Sequence, residues 1–200
     1  MNLLRAAAEV ARFLEGRGIP YFIIGGLAFQ HWGEPRLTRD VDITVLVASE
    51  ELESFVDAVL SRFSPRFPDA REFALRHRVL LVRAQNGIPI DISLGIPGYE
   101  KEAFERAVEV HFPEVGKLRL IGPEDLIIHK CIAGRPRDVE DVEGILIRQR
   151  LKLDLELVRR WLVEFRAVVD SHDPLELFEG ALKRAREALN KEGTQHEPGS

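Results

Sequence analysis

Three aspartates carry most of the chemistry this sequence can support. Asp40 and Asp42 are one residue apart in the run Asp40-Val41-Asp42-Ile43-Thr44-Val45-Leu46-Val47, whose β-branched residues read as a central strand. Strand side chains alternate, so the two carboxylates point to the same side, with Cα atoms roughly 6.5 Å apart, while Val41 and Ile43 face the opposite layer. Two like charges at the end of an apolar strand are costly without something positive between them. A divalent cation fits that place, and all-oxygen ligation with retained waters suits Mg²⁺. Asp91 extends the set. In residues 88–94, Ile-Pro-Ile-Asp-Ile-Ser-Leu, the even-numbered apolar residues share one face and leave Asp91 with Ser93 on the other. If that strand lies beside the Asp42 strand, three carboxylates converge. Such a cluster can hold two ions, one on nucleotide phosphates and one activating an acceptor hydroxyl, and Asp91 can also accept the hydroxyl's proton. By itself an Asp-x-Asp pair is equally a solvated strand end, and Asp91 ordinary edge polarity.

The elements that must position these residues can be traced along the chain. Residues 2–16 carry apolar positions at helical spacing and predict an amphipathic helix. Gly16 and Gly18 stop it, and Pro20 favours an extended entry into the buried strand Tyr21-Phe22-Ile23-Ile24. Gly25-Gly26 follows as a tight turn before a helix-compatible stretch from Leu27 to Trp32. A glycine pair there lets the backbone approach a phosphate, and the helix behind it offers unpaired N–H groups; a plain tight turn is the competing reading. Ser49 is placed to cap a helix that carries Leu52, Phe55, Val56, Val59 and Leu60. Residues 63–67 look irregular. Residues 78–84 and 88–94 form a hairpin about Gln85-Asn86-Gly87, since Asn-Gly supplies the positive φ that tight hairpin turns need. A short helix over 100–108 and a strand over 117–121 complete the first part. Four helices follow, over 123–133, 138–148, around Leu155 to Phe165, and from Asp173-Pro174 onward. The fold class is α+β: a small mixed sheet flanked by helices over residues 1–122, a helical region over 123–190, and a disordered tail over 191–200.

Composition narrows the field. The chain has 200 residues with 28 Lys plus Arg against 33 Asp plus Glu, a formal charge of −5, which gives no general attraction to nucleic acid or to anionic membranes. A local basic groove would draw on Arg36, Arg39, Lys130, Arg135 and Arg137. The single cysteine, Cys131, excludes an intramolecular disulfide framework and a cysteine-rich zinc site. Glu9, Arg12 and Glu15 interrupt the first helix too often for a signal peptide, and no apolar run approaches the roughly 18 residues of a membrane span. These features predict a soluble cytoplasmic protein.

Together, Ile24-Gly25-Gly26, thirteen intervening residues and Asp40-Val41-Asp42-Ile43 resemble the signature of the DNA polymerase β-like nucleotidyltransferases. The longer phrase through Arg36-Leu37-Thr38-Arg39-Asp40 is similar to the minimal nucleotidyltransferases related to abortive-infection and type IV toxin-antitoxin toxins. The resemblance covers roughly residues 20–145 and implies the nucleotidyltransferase fold. It implies that Gly25 and Gly26 grip a triphosphate, with Arg39 and Arg137 as further phosphate contacts, and that Asp40, Asp42 and Asp91 ligate metal. It places Lys130 on the phosphates, with Asp138 or Asp141 orienting Lys130 or Arg137; read as a residue of an apolar helix, Lys130 can instead snorkel to solvent. The implied activity is Mg²⁺-dependent transfer of a nucleoside monophosphate from a triphosphate to a hydroxyl of RNA, protein or a small molecule, with a cognate antitoxin as a possible partner. A non-catalytic nucleotide-binding protein on the same fold is the alternative. The chain departs from the signature where Gly26 stands instead of the serine that some members carry, so a hydroxyl is missing from that position.

Overall fold

The computed structural model describes residues 2–95 and 98–194, and they fall into two units. The first, residues 1–28 with 37–122, is a mixed sheet with helices. Helix α1 (Asn2–Glu15) leads into strand β1 (Tyr21–Ile24), and helix α2 (Gly25–Trp32) starts directly at its end. Strand β2 (Val41–Leu46) is followed by a 3-10 turn over Ser49–Glu51 and helix α3 (Leu52–Leu60). Ser49 therefore lies inside the turn and caps nothing. Strand β3 (Ser64–Pro65), helix α4 (Ala70–His77), strand β4 (Val79–Arg83) and strand β5 (Pro89–Gly95) come next. Helix α5 (Tyr99–Arg106) and the hairpin of β6 (Val108–Phe112) and β7 (Gly116–Leu120) close the unit.

The strand order is β3-β4-β5-β2-β1-β7-β6. The pairs β2 with β5 and β1 with β7 are parallel, and the others are antiparallel. Among the described residues the sheet thus has seven strands where the sequence predicted fewer. Strands β3 and β6 and helix α4 are the additions. The expected turn at Gln85-Asn86-Gly87 forms, with Gly87 at φ 80° and its N–H donating to the Ala84 carbonyl at 2.9 Å.

Alternation gives the sheet two chemically different faces. Val41, Ile43, Val45, Ile90, Ile92, Leu94, Leu80 and Val82 are buried together with Ala7, Leu14, Phe55, Val56 and Val59 of the helices. The other face carries Asp42, Thr44, Asp91 and Ser93, where opposed residues on neighbouring strands meet side by side.

The second unit, residues 29–36 with 123–200, is helical: α6 (Pro123–Ala133), α7 (Pro136–Arg148), α8 (Leu155–Phe165) and α9 (Pro174–Thr194). Proline in the first turn of α7 costs no hydrogen bond. Asp154 caps α8 by accepting from the Leu157 N–H at 2.9 Å, and Asp173 accepts from Leu175 and Glu176 at the start of α9. Leu126, Val142, Ile145, Leu146, Leu162, Phe178 and Leu182 are buried in this unit. Helix α9 continues to Thr194, four residues into the stretch expected to be tail; residues 195–200 of that expectation lie outside the described residues. Cys131 is a buried free thiol, and burial pushes its pKa far up. Among the described residues no helix is long and apolar enough to cross a membrane.

Candidate active site

Strand β5 pairs with β2 in parallel, and Asp91 stands directly opposite Asp42. Neighbouring strands are about 4.8 Å apart, so the two carboxylates rise side by side from one face. On the other side of β2, Asp42 is opposite Ile24, the last residue of β1. Asp40 precedes β2 by one residue, outside the strand to which the sequence assigned it. The Thr38 hydroxyl donates to its Oδ1 at 3.0 Å. Burial raises Asp91 above the ordinary carboxylate range; the Arg66 guanidinium opposes that rise, and the charge of Asp40 adds to it.

The glycine pair is fixed by these same residues. Gly25 has a left-handed φ of 63°, and a Cβ there would lie 1.9 Å from Asp42 Oδ2. Only glycine tolerates both conditions. At Gly26 a Cβ would lie 2.3 Å from Thr38 Oγ1. The chain therefore has no room for the serine of the wider signature, because Thr38 fills the place and brings its own hydroxyl to Asp40. Gly18 has nearly the same φ, 66°, with nothing near its missing Cβ, and so isolates backbone strain from the clash. Gly18→Ala should cost about 1–2 kcal/mol. Gly25→Ala should cost clearly more in urea unfolding, since Asp42 must also move, and equal losses would show that Asp42 does not press on Gly25.

Arg66 was not foreseen. It lies in the stretch read as irregular, and its Nη1 is 2.5 Å from Asp91 Oδ1. Thr38, whose hydroxyl donates to Asp40, is the second omission; its place two residues before Asp40 was the available signal. Arg39 is exposed.

Lys130 and Arg137 belong to the helical unit. Arg137 is exposed, whereas Lys130 is only 5% exposed. Its ammonium donates to Asp141 Oδ2 at 2.5 Å and to Asp138 Oδ1 at 3.1 Å. Asp141 Oδ2 also accepts from Arg36 Nη2 at 2.9 Å, and Asp138 Oδ2 from Arg135 Nε at 2.6 Å. Arg36 and Lys130 lie 5.1 and 5.6 Å from the centre of the Phe29 ring, a favourable cation–π setting. Snorkelling to solvent is thereby excluded, and the expected pairing with Asp138 and Asp141 is present with both.

Among the described residues no group of three or more His, Cys, Asp or Glu side chains forms a ready metal cage. Mg²⁺ on nucleotides does not require one, since it is commonly held by one or two carboxylates together with substrate phosphates and water. The donor set fits that pattern: Asp42 and Asp91 abreast, Asp40 close enough to affect Asp91, and oxygen atoms throughout.

Comparison with known proteins supports the fold through a family match and one solved structure. The family described as "Nucleotidyltransferase of unknown function (DUF6036)" matches residues 1–178. The crystal structure of an antigenic nucleotidyltransferase-like protein from Paracoccidioides brasiliensis aligns with a TM-score of 0.53 at 17% identity, covering 88% of this chain and 90% of that one. The solution structure of the antibiotic-resistance factor ANT(2'')-Ia aligns with a TM-score of 0.42 at 15% identity, over 95% of each chain. No curated protein matches the sequence.

Proposed function

Because the chain belongs to the DUF6036 family of nucleotidyltransferases of unknown function, within the polymerase β-like superfamily, we propose that it transfers a nucleoside monophosphate from a nucleoside triphosphate to a hydroxyl acceptor. The observation that carries this reading is Asp42 standing opposite Asp91 on parallel strands, next to a helix that starts at Gly25-Gly26. In the proposed reaction the acceptor oxygen attacks the α-phosphorus, the bond from that phosphorus to the bridging oxygen breaks, and pyrophosphate leaves. The acceptor's proton passes to Asp91, directly or through water. Backbone N–H groups at the start of α2 bind phosphate oxygens, and Thr38 orients Asp40. Mg²⁺ bound to Asp40, Asp42 and Asp91, as one ion or two, would neutralise phosphate charge and acidify the acceptor hydroxyl. Arg39, exposed in the same unit as the carboxylates, serves in this reading as a further phosphate contact.

The test is transfer of α-³²P label from each of the four ribonucleotides, with Mg²⁺, to total RNA, bulk protein and a small-molecule extract. Label on one class of acceptor establishes transfer and names the substrate. Label on RNA or protein, with growth arrest on expression, would place the chain with the toxin-like relatives that the phrase from Gly25 to Asp42 resembles, and make a cognate antitoxin the partner to seek. Mg²⁺-dependent nucleotide binding without label would overturn the transferase reading in favour of a regulatory nucleotide-binding protein.

A further inference from the structure

The backbone N–H of Arg66 donates to the Leu81 carbonyl at 3.0 Å, one step beyond the register in which Ser64 faces Arg83 and Pro65 faces Val82. Leu81 in turn faces Asp91, and Asp91 faces Asp42. Arg66, Leu81, Asp91 and Asp42 therefore make one row across the sheet in the order β3, β4, β5, β2, and residues in such a row share a face. Two strand spacings, about 9.6 Å, separate the Arg66 backbone from that of Asp91. The extended arginine crosses them above the half-buried Leu81 to reach Asp91 Oδ1.

The contact is made by one guanidinium nitrogen to one carboxylate oxygen, and the two side chains are 32% and 30% exposed. A single-point pair at that exposure is weak and easily opened. A divalent cation on the same carboxylate would repel a guanidinium at this distance. We propose that Arg66 and the divalent cation are alternative counter-ions for Asp91, so that loading the site with metal requires Arg66 to withdraw. Until then Arg66 supplies a positive charge to Asp91. The exchange rests on reading those carboxylates as a cation site, but it does not depend on which acceptor is used or on turnover.

Mn²⁺ binding without nucleotide, followed by the electron paramagnetic resonance of the free ion, tests the exchange in the full chain. Arg66→Gln should bind Mn²⁺ about fivefold more tightly than wild type, and Arg66→Lys should lie between them. In an Asp91→Asn background Arg66→Gln should change nothing, because the competition has lost its object. Unchanged or weaker binding in Arg66→Gln overturns the proposal and makes Arg66 a support for Asp91. A gain that persists in Asp91→Asn also overturns it, since it would reflect only a change in net charge. If Arg66→Gln fails to fold, Arg66→Lys against wild type, with and without Asp91→Asn, decides the same question. Mn²⁺ binding indifferent to Asp42→Asn and Arg66→Gln alike would overturn the cation site and the exchange together. The predicted Mn²⁺ pattern without nucleotide transfer would overturn only the transferase reading.

Discussion

Asp42→Asn should lower nucleotide transfer by on the order of a thousandfold or more in kcat/KM, with little loss of stability. The substitution keeps the shape of a side chain that fits beside Gly25, where Asp42 Oδ2 lies 1.9 Å from the place a Cβ would take. What it removes is one negative charge from a group in which Asp42 is opposite Asp91 and Asp40 affects Asp91. Loss of a like charge beside Asp91 relieves repulsion in the folded protein, so the urea midpoint should change far less than activity. That difference separates a functional carboxylate from a structural one, for which stability and activity would fall together. Transfer at the wild-type rate in Asp42→Asn would end the proposal that Asp42 serves the reaction. The first readout is pyrophosphate release at saturating Mg²⁺, with the unfolding midpoint measured on the same preparation.

The carboxylates were legible because strand periodicity is local. Ile90, Ile92 and Leu94 are buried and Asp91 is half-buried, as alternation requires, and the Asn-Gly turn brought the right strands into antiparallel pairing. Helices with a cap at one end and a clear apolar stripe, such as α8 and α9, were legible for the same reason. Strand β6 carried a signal that went unused: Val108-Glu109-Val110-His111-Phe112 alternates, and its partner β7 had been recognised. Helix α4 offered less, since it buries only Ala70 and Ala74. Arg66 offered almost nothing. Its importance depends on β3 pairing at the sheet edge and on Asp91 lying two strands away, and no local pattern encodes that distance. Gly26 illustrates a different gap. The sequence explained it by the approach of phosphate, whereas a neighbouring threonine already excludes any Cβ.

In the helical unit, Asp141→Asn should cost more stability than Lys130→Met, although both break the same 2.5 Å contact. The reason lies in what each leaves behind. Lys130, Asp138 and Asp141 are 5%, 3% and 3% exposed, and Arg36 shares Asp141 with Lys130. Without Lys130, each carboxylate keeps an arginine: Asp141 has Arg36 at 2.9 Å and Asp138 has Arg135 at 2.6 Å. The methionine also fills the apolar path of the lysine stem. Without the charge of Asp141, Lys130 and Arg36 both lose a carboxylate, and Asp138 is left holding the buried ammonium. Breaking a buried pair from the side that strands a charge costs about 3–5 kcal/mol, whereas exchanging a buried ion for an apolar residue of similar volume can be nearly neutral. Urea unfolding of the two variants, followed by circular dichroism, checks the order; Lys130→Met as the more damaging change would overturn this account of the network. The pH dependence supplies a second check. Burial alone would lift Asp138, but Arg135 and Lys130 outweigh it and hold the carboxyl below its ordinary 3.8. A depressed carboxylate contributes its stability fully above the unfolded value and loses it as pH falls through the folded one. Acid should therefore destabilise the wild type through Asp138 only below about pH 4, and Asp138→Asn should lose that part of the acid sensitivity.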